Sequence, residues 1–256
     1  MISKGQPEPV HIRPSKGLSP WVFVCEHAVN LIPESLGSLG LGETDLTRHI
    51  AWDIGVTGVA EFLATHLDAT LITQPYSRLV IDCNRRPDDP ELVAKESDGT
   101  IIPGNQSLGV DQIQSRLDGI YAPFHECIEG ELDKRQKADQ KTILVSLHSF
   151  TPALAGGETR PWHIGVIYNR ERRLADALLK ILGRRDDIVL GDNQPFAMTD
   201  DNVFTLPHHG EHRGIPTVEI ELRQDLIGDE KGQLQWARIL ADTLGQALNE
   251  IVEGAP

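Results

Sequence analysis

Short apolar runs and longer stretches with helical spacing alternate along the chain. The short runs are rich in aliphatic and β-branched residues and predict strands at 21–25, 69–73, 78–83, 142–147, 162–168, 187–190 and 216–222. Apolar residues that recur every three or four positions predict helices at 45–67, 111–137, 171–183 and 229–252. Strands that alternate with helices in this way predict an α/β fold, with a mixed, mainly parallel central sheet and helices on both faces.

The remaining segments indicate how the chain is organised around this sheet. Residues 1–20 are rich in proline, glycine and charge, and predict an extended N-terminal segment on the surface. Thr44 precedes the first helix as its expected N-cap. The turn-rich stretch at 88–108 predicts an excursion over the active-site edge of the sheet. Because the sequence shows neither an internal repeat nor a linker, we expect residues 1–256 to form a single α/β domain.

The predicted strand at 78–83 leads into a cluster of polar residues. In a parallel sheet the carboxyl ends of the strands form the edge where ligands bind. Asn84 offers both a donor and an acceptor, and Arg85 offers a planar fork for a carboxylate. Asp82 can orient a cation or a neighbouring donor, and Arg78 adds positive charge. We therefore predict these four residues to bind substrate; the alternative is a strand end with a solvated arginine.

Two histidines end predicted strands in the same manner, His27 after 21–25 and His148 after 142–147. A single histidine on an apolar element is usually a packed core residue, but two at equivalent strand ends favour a metal or proton-transfer role. Catalytic zinc takes three protein ligands and keeps one open position. The third ligand stays open between Asp53, an acid among apolar neighbours on the predicted helix, and Asn30 or Glu26.

Two glutamates lie within the last predicted strand, Glu219 and Glu221. Being two residues apart, they face the same side of the sheet. Glu221 is the candidate general base, which would take a proton from water and pass it to a leaving nitrogen. Glu219 shares that face and is the alternative.

A His-His-x-x-His cluster, His208, His209 and His212, precedes this strand. The flanking Pro207 and Gly210 favour an irregular loop over the helix that a metal motif of this kind needs. We predict a mobile substrate loop that supplies one proton donor, His209.

Charge and composition narrow the range of partners. The formal net charge of −14 argues against nucleic acid, which needs basic patches, but allows a small acidic substrate in a cleft with focused positive charge. The sequence has no long apolar stretch, no signal-peptide core and no disulfide framework among its 3 cysteines. We expect a reduced, cytoplasmic protein with no membrane partner. Neither a Gly-x-Ser-x-Gly elbow nor a phosphate-binding glycine loop occurs.

Several segments together resemble the N-formylglutamate amidohydrolase family. They are CEHAVNLIP at 25–33, SRLVIDCNR at 77–85, SLHSF at 146–150, and HHGEHRGIP followed by EIELRQDLI at 208–227. The similarity runs in order from about residue 20 to about residue 250. More distantly, the family resembles zinc carboxypeptidases and the succinylglutamate and aspartate deacylases. This resemblance implies a zinc-exopeptidase-like fold of the phosphorylase/hydrolase type.

The resemblance also implies a reaction, hydrolysis of N-formyl-L-glutamate to formate and glutamate. Zinc, or another divalent metal, would be held by His27 and His148 and polarise the formyl carbonyl, with Glu221 activating water. Arg85 and Asn84 would hold a substrate carboxylate. Asn30 stands where the deacylases carry a metal-binding glutamate, and the first motif reads Cys-Glu-His, so we expect a divergent branch acting on a small N-acylated acidic amino acid.

Two rival hypotheses keep the same fold. One is a metal-independent hydrolase in which His27 and Glu221 form a general acid–base pair. The other is a non-catalytic binder of small carboxylates that uses Arg78 and Arg85.

Overall fold

A seven-stranded mixed sheet forms the centre of the structure, a computed structural model that describes residues 1–253. The strands of the described chain are β1 (His11–Arg13), β2 (Trp21–Cys25), β3 (Thr70–Thr73), β4 (Glu96–Ser97), β5 (Thr100–Ile101), β6 (Ile143–Phe150), β7 (Ile164–Ile167), β8 (Leu190–Asp192) and β9 (Thr217–Arg223). The α-helices are α1 (Glu43–Leu46), α2 (Val56–His66), α3 (Val110–Arg116), α4 (Ala122–Lys137), α5 (Arg173–Leu182) and α6 (Glu230–Glu253). The single-domain prediction extends to residue 256, and its last three residues lie outside the described range.

The strand order in the sheet is β1-β3-β2-β6-β9-β7-β8. The central strands β3, β2, β6 and β9 are parallel, while β1 and β7 pair antiparallel with β3 and β9, respectively. β4 and β5 form a separate hairpin within the predicted excursion at 88–108. The predicted mixed, mainly parallel α/β sheet is confirmed, and part of the N-terminal segment forms its edge strand β1.

Two apolar layers cover the sheet. Helices α2, α5 and α6 bury side chains such as Leu63, Leu178 and Leu240 against one face. On the other face, α4 and the long loops pack around residues such as Phe124 and Ile81. The side chains on this second face become polar toward the carboxyl ends of β6 and β9, and this change of character positions the candidate site.

The long helix predicted at 111–137 forms with one irregularity. Between α3 and α4 the chain continues through a π-helical turn at Leu117–Tyr121. Pro123 follows at the start of α4 and cannot donate a backbone hydrogen bond to the carbonyl of Gly119. A wider turn accommodates the proline ring without breaking the helix.

The strand predicted at 78–83 is wrong. These residues form buried turns, and the nearest sheet-like pairing is an isolated bridge between Leu31 and Tyr76. Leu79, Val80 and Ile81 are fully buried, as a central strand would be. A short apolar run indicates that a segment is buried, but it does not show whether that segment is a strand or a packed turn.

The single helix predicted at 45–67 is also wrong, because the chain turns between α1 and α2. Gly55, immediately before α2, has a left-handed φ of 81°, which interrupts the helix. It also lies against the backbone of Ile227, which leaves no room for a side chain. Thr44 lies inside α1, whose N-cap is Gly42.

No helix in the described part of the chain combines the length and apolarity needed to cross a bilayer.

Gly165, on β7, provides a test of the packing beside β9. A Cβ atom at this position would overlap the carbonyl oxygen of Gln194, whereas a Cβ at the exposed Gly130 of α4 would meet nothing within 4 Å. We expect Gly165→Ala to lower the free energy of unfolding by at least about 2 kcal/mol through overpacking. Gly130→Ala should raise it by about 0.5–1 kcal/mol through helix propensity. Urea unfolding of both variants checks this, and equal midpoints would contradict the proposed contact.

Candidate active site

The predicted polar side chains converge at the carboxyl ends of β2, β6 and β9. His27 follows β2 by two residues, and His148 lies near the end of β6. In the register of β6 and β9, His148 is opposite Glu221, and Ser146 is opposite Glu219. Side chains two residues apart on a strand share a face, so the histidine and both glutamates point to the same side of the sheet. All of them are buried.

One nitrogen of the His27 ring is fixed by a carboxylate. Its Nε2 lies 2.7 Å from Asp82 Oδ1, which also accepts the backbone N–H of Asn84 at 2.9 Å. The other oxygen of Asp82 pairs with Arg78 at 2.7 Å. Burial would raise the pKa of Asp82, but the charges of Arg78 and His27 hold it well below its usual range. The ionised Asp82 therefore accepts a hydrogen bond from His27 Nε2, and in the neutral ring the lone pair is on Nδ1.

His148 is held in the same manner by another acid. Its Nε2 lies 3.2 Å from Glu26 Oε2, which also accepts a hydrogen bond from Ser146 Oγ at 2.8 Å. Burial opposes ionisation of Glu26, but the charge and hydrogen bond of His148 lower its pKa to about 2. Burial would likewise lower the pKa of His148, but Glu219 and Glu26 raise it well above its ordinary value.

Asp53 lies between the two histidine rings. Its Oδ2 is 2.7 Å from His148 Nδ1 and 3.5 Å from His27 Nδ1. The prediction placed Asp53 on a helix, but it lies in the turn before α2, where its backbone N–H donates to the carbonyl of His27 at 2.9 Å. The backbone N–H of Ser149 donates to the same Oδ2 at 3.3 Å. The turn thus aims one carboxylate at both Nδ1 atoms.

These three residues have the donor set of a divalent cation site. One ligand atom from each of His27, Asp53 and His148 lies within 4.8 Å of the others, and all three side chains are buried. His27 Nδ1 is buried and has no hydrogen-bond partner among residues 1–253. Carboxylates on the outer ring nitrogens, as Asp82 and Glu26 provide, are the usual support of metal-binding histidines. The residues therefore fit a metal ion bound through two nitrogens and one carboxylate.

Asn30, an alternative third ligand in the sequence, is occupied elsewhere. Its side-chain amide donates to the carbonyl of Leu46 at 2.7 Å. Glu26, the other alternative, contacts the outer nitrogen of His148.

The two glutamates of β9 differ in their surroundings. Glu219 Oε2 accepts a hydrogen bond from the Asn84 amide at 3.4 Å and lies 3.9 Å from His148 Nε2. Glu221 Oε2 is buried without a hydrogen-bond partner in the described chain. Burial, together with the charges of Glu219 and Asp53, raises the pKa of Glu221 well above its ordinary value. Glu221 thus combines a raised proton affinity with a carboxyl oxygen that no other described side chain binds.

The arginines predicted to bind substrate lie in different environments. Arg78 pairs with Asp82 and lies 3.7 Å from Asp53 Oδ1, so it contributes to the cluster itself. The Arg85 guanidinium is 27% exposed and faces Asp89 at 3.6 Å. Of the two arginines, Arg85 therefore has the weaker ion pairing.

His209 lies in a buried pair with His125, which the sequence reasoning missed. Residues 206–210 form a π-helical turn and 211–213 a 3-10 turn, so the irregular loop predicted there is wrong. His125 Nδ1 is 2.9 Å from His209 Nε2, and His125 Nε2 is 2.9 Å from the carbonyl of Cys83. A carbonyl can only accept, so His125 donates from Nε2 and accepts at Nδ1. The buried stripe of the long helix, which includes Phe124 and Ile128, was the available signal.

Comparisons with known proteins agree with the sequence motifs. A family model described as N-formylglutamate amidohydrolase matches residues 19–228. The chain is 23% identical over 208 residues to an N-formylglutamate deformylase of Pseudomonas putida, covering 74% of this chain and 76% of that protein. It is 24% identical over 209 residues to the Pseudomonas aeruginosa N-formylglutamate deformylase, with the same coverage of 74% and 76%.

Solved structures share the fold over nearly the whole chain. A gene product of Agrobacterium tumefaciens superposes with a TM-score of 0.93 at 36% identity, covering 98% of both chains. An N-formylglutamate amidohydrolase from Ralstonia eutropha JMP134 superposes with a TM-score of 0.77 at 18% identity, covering 97% of this chain and 100% of that one. Because the family model spans well over half of the sequence, the chain belongs to the N-formylglutamate amidohydrolase family, as its motifs predicted.

Proposed function

We propose that the protein is a metal-dependent amidohydrolase that cleaves a small N-acylated acidic amino acid, with N-formyl-L-glutamate as the first candidate. The observation that carries the proposal is the convergence of His27 Nδ1 and His148 Nδ1 on Asp53, next to Glu221, whose Oε2 has no hydrogen-bond partner within residues 1–253. Family membership and the names of the Pseudomonas relatives support the formyl amide as substrate.

His27, Asp53 and His148 would hold the cation, and their mixture of nitrogen and oxygen donors suits zinc. When bound, such an ion would polarise the amide carbonyl and favour deprotonation of water. In the neutral rings that bind a metal, Asp82 and Glu26 would keep the remaining proton of each ring on Nε2 and leave both Nδ1 atoms to hold the ion.

Glu221 is the proposed general base. It accepts a proton from the attacking water and returns it to the nitrogen that leaves as an amine. A raised pKa suits both steps, since a stronger base takes the proton more readily and remains able to release it. Glu219 is the alternative base. Burial raises its pKa as well, but one of its oxygens already accepts a hydrogen bond from the Asn84 amide.

Arg85 is the proposed partner of a substrate carboxylate, with Asn84 beside it. In a chain of net charge −14, an acidic substrate needs a local positive group that no buried acid neutralises. Arg85 meets this condition better than Arg78, because it lies 3.6 Å from the carboxylate of Asp89, whereas Arg78 lies 2.7 Å from that of Asp82.

His209 is proposed to hold the turn at 206–210 in place. Burial first, and then the neighbouring His125, lower its pKa to about 2, and burial lowers the pKa of His125 to about 4. Both rings are therefore neutral at pH 7, and His209 donates a hydrogen bond rather than a catalytic proton.

Metal removal and replacement test the reaction directly. We expect protein stripped with a strong chelator to lose release of formate from N-formyl-L-glutamate and to regain it with zinc. His148→Ala should abolish turnover, and Glu221→Gln should lower kcat by a factor of about 100 or more through loss of the base. His66→Ala, an exposed histidine on α2, is the control and should leave kcat unchanged.

The outcomes separate the rival hypotheses. Activity that withstands the chelator would favour the metal-independent hydrolase. Zinc-loaded protein that releases no acyl group from formyl, acetyl or succinyl amino acids would contradict the proposed function, and ligand-dependent thermal stabilisation without turnover would favour a carboxylate binder.

Substitution of Arg85 tests the substrate contact. Arg85→Met should raise KM for N-formyl-L-glutamate by a factor of about 10 to 100, the value of one charge-assisted hydrogen bond, with a smaller change in kcat. The matched control is Arg86→Met, because the adjacent Arg86 is more exposed and pairs with Asp88. Equal effects of both substitutions would argue against a specific role for Arg85.

The histidine pair predicts a pH dependence of stability. Well above pH 6.5 both rings are neutral in the folded and in the unfolded protein. As the pH falls toward 4, the histidines of the unfolded chain become protonated while the folded pair stays neutral, so the folded state loses stability. Each ring should therefore cost about 2 kcal/mol of stability between pH 7.5 and pH 5. His209→Gln, which keeps a donor to His125, should reduce that acid-induced loss by about this amount in urea unfolding. His11→Gln, on the exposed strand β1, should not, and an unchanged pH dependence in His209→Gln would refute the assignment.

A further inference from the structure

Residues 77–86, here called the site segment, carry Arg78, Asp82, Asn84 and Arg85 without belonging to a strand. Most of the segment is buried. Buried carbonyl groups must find hydrogen-bond donors, and a sheet would have supplied them through its ladder. In the site segment side chains bind four of the backbone carbonyls, and three of these donors come from one helix.

Arg116, at the end of α3, binds the first part of the segment. Its guanidinium Nη1 donates to the carbonyl of Val80 and to Asn105 Oδ1, each at 2.8 Å. The Asn105 amide in turn donates to the carbonyl of Leu79 at 2.8 Å. The carbonyls of two successive residues are thus bound by one connected side-chain pair.

Tyr121 and His125 bind the second part of the segment. Tyr121 Oη donates to the carbonyl of Arg85 at 2.8 Å. His125 Nε2 donates to the carbonyl of Cys83 at 2.9 Å. These contacts lie on either side of Asn84, whose amide reaches Glu219, and directly after Asp82, which fixes His27.

The π-helical turn explains how Arg116, Tyr121 and His125 reach the same segment. In an α-helix, five residues at about 100° each would place Arg116 and Tyr121 on faces about 140° apart. A π turn closes its hydrogen bonds between residues five apart and brings those two positions onto one side. His125 follows Tyr121 by one ordinary turn of α4. The irregular turn at Leu117–Tyr121 therefore aligns the three donors.

Arg116 carries an energetic cost that packing alone does not explain. It is 2% exposed, and no acidic partner lies within 4 Å of it in the described residues. Burial lowers its pKa to about 10. An apolar side chain of similar volume would fill the space without desolvating a charge. What the arginine adds is the donor pair to Val80 and Asn105.

We propose that Arg116, Tyr121 and His125 are positioning residues of the active site, and that they set the places of Asp82 and Asn84 by holding the backbone around them. The proposal rests on the proposed function, since it gives Asp82 its task of orienting a metal-binding His27. Displacing the segment would loosen that orientation and weaken metal binding.

The affinity for zinc is the decisive measurement, made by competition with a chromophoric chelator on the folded, metal-free protein. Arg116→Met should weaken zinc binding by a factor of about 10 or more, as loss of support for a metal-binding histidine does. Tyr121→Phe, which removes one donor and preserves the ring, should weaken it less. Arg116→Lys, which keeps a charged donor, should recover part of the affinity.

Arg135 provides the matched control. It lies on the same helix, is 1% exposed, and donates to the carbonyl of Ser19 at 2.9 Å, far from the site segment. Arg135→Met should lower the urea midpoint yet keep zinc affinity within about twofold of wild type. Wild-type affinity in both Arg116→Met and Tyr121→Phe, or an equal loss in Arg135→Met, would overturn the proposal.

Hydrogen exchange separates this proposal from the function on which it rests. The amides of Asp82 and Arg85 bond to the carbonyls of Leu92 and Asp82, and their exchange needs neither metal nor turnover. Exchange in the site segment should accelerate in Arg116→Met and Tyr121→Phe but not in Arg135→Met. If the wild-type protein hydrolyses no acyl amino acid, the proposed function fails while affinity and exchange still decide the positioning role. If Arg116→Met does not fold, Tyr121→Phe decides it alone.

Discussion

The constraint on which the site depends is the burial of acid around two imidazole rings. Five carboxylates are at least nine-tenths buried there, namely Glu26, Asp53, Asp82, Glu219 and Glu221. Arg78 and, when protonated, the two histidines are positive groups that face them. Charges of like sign in a medium of low dielectric repel strongly unless a cation or shared protons compensate. The carboxylates next to positive groups, Asp53, Asp82 and Glu26, have lowered pKa values, whereas Glu221 has a raised one. A divalent cation would reduce the repulsion among these acids.

The fold was largely predictable because its strands combine buried runs with polar ends. β2, β6 and β9 are apolar enough to identify, and the polar residues at their carboxyl ends predicted the meeting of His27, His148 and Glu221. The edge of a parallel sheet collects such residues whatever loops surround it. The sequence also indicated Asp53, although its setting in a turn depends on Gly55, whose left-handed conformation leaves no mark in hydrophobic periodicity.

What the sequence did not predict depends on contacts between distant elements. Glu26 was considered as a ligand, but its position against the outer nitrogen of His148 follows from the pairing of β2 with β6. His125 and Arg116 lie on the inner face of a helix whose periodicity reports only that the face is buried. Their hydrogen bonds to the site segment join residues 36 to 42 positions apart, which local patterns do not encode.

The absence of strand structure in the site segment has a geometric advantage. In a strand, the Cα atoms of Arg78 and Asp82 would lie about 13 Å apart, at about 3.3 Å per residue. In the observed turn the guanidinium and carboxylate meet at 2.7 Å, while Asp82 also accepts the backbone N–H of Asn84. One aspartate can thus bind an arginine, a backbone amide and the His27 ring together. A turn of this kind lacks the hydrogen bonds that a sheet would make to its backbone carbonyls. The helix residues Arg116 and His125 donate hydrogen bonds to two of these carbonyls instead.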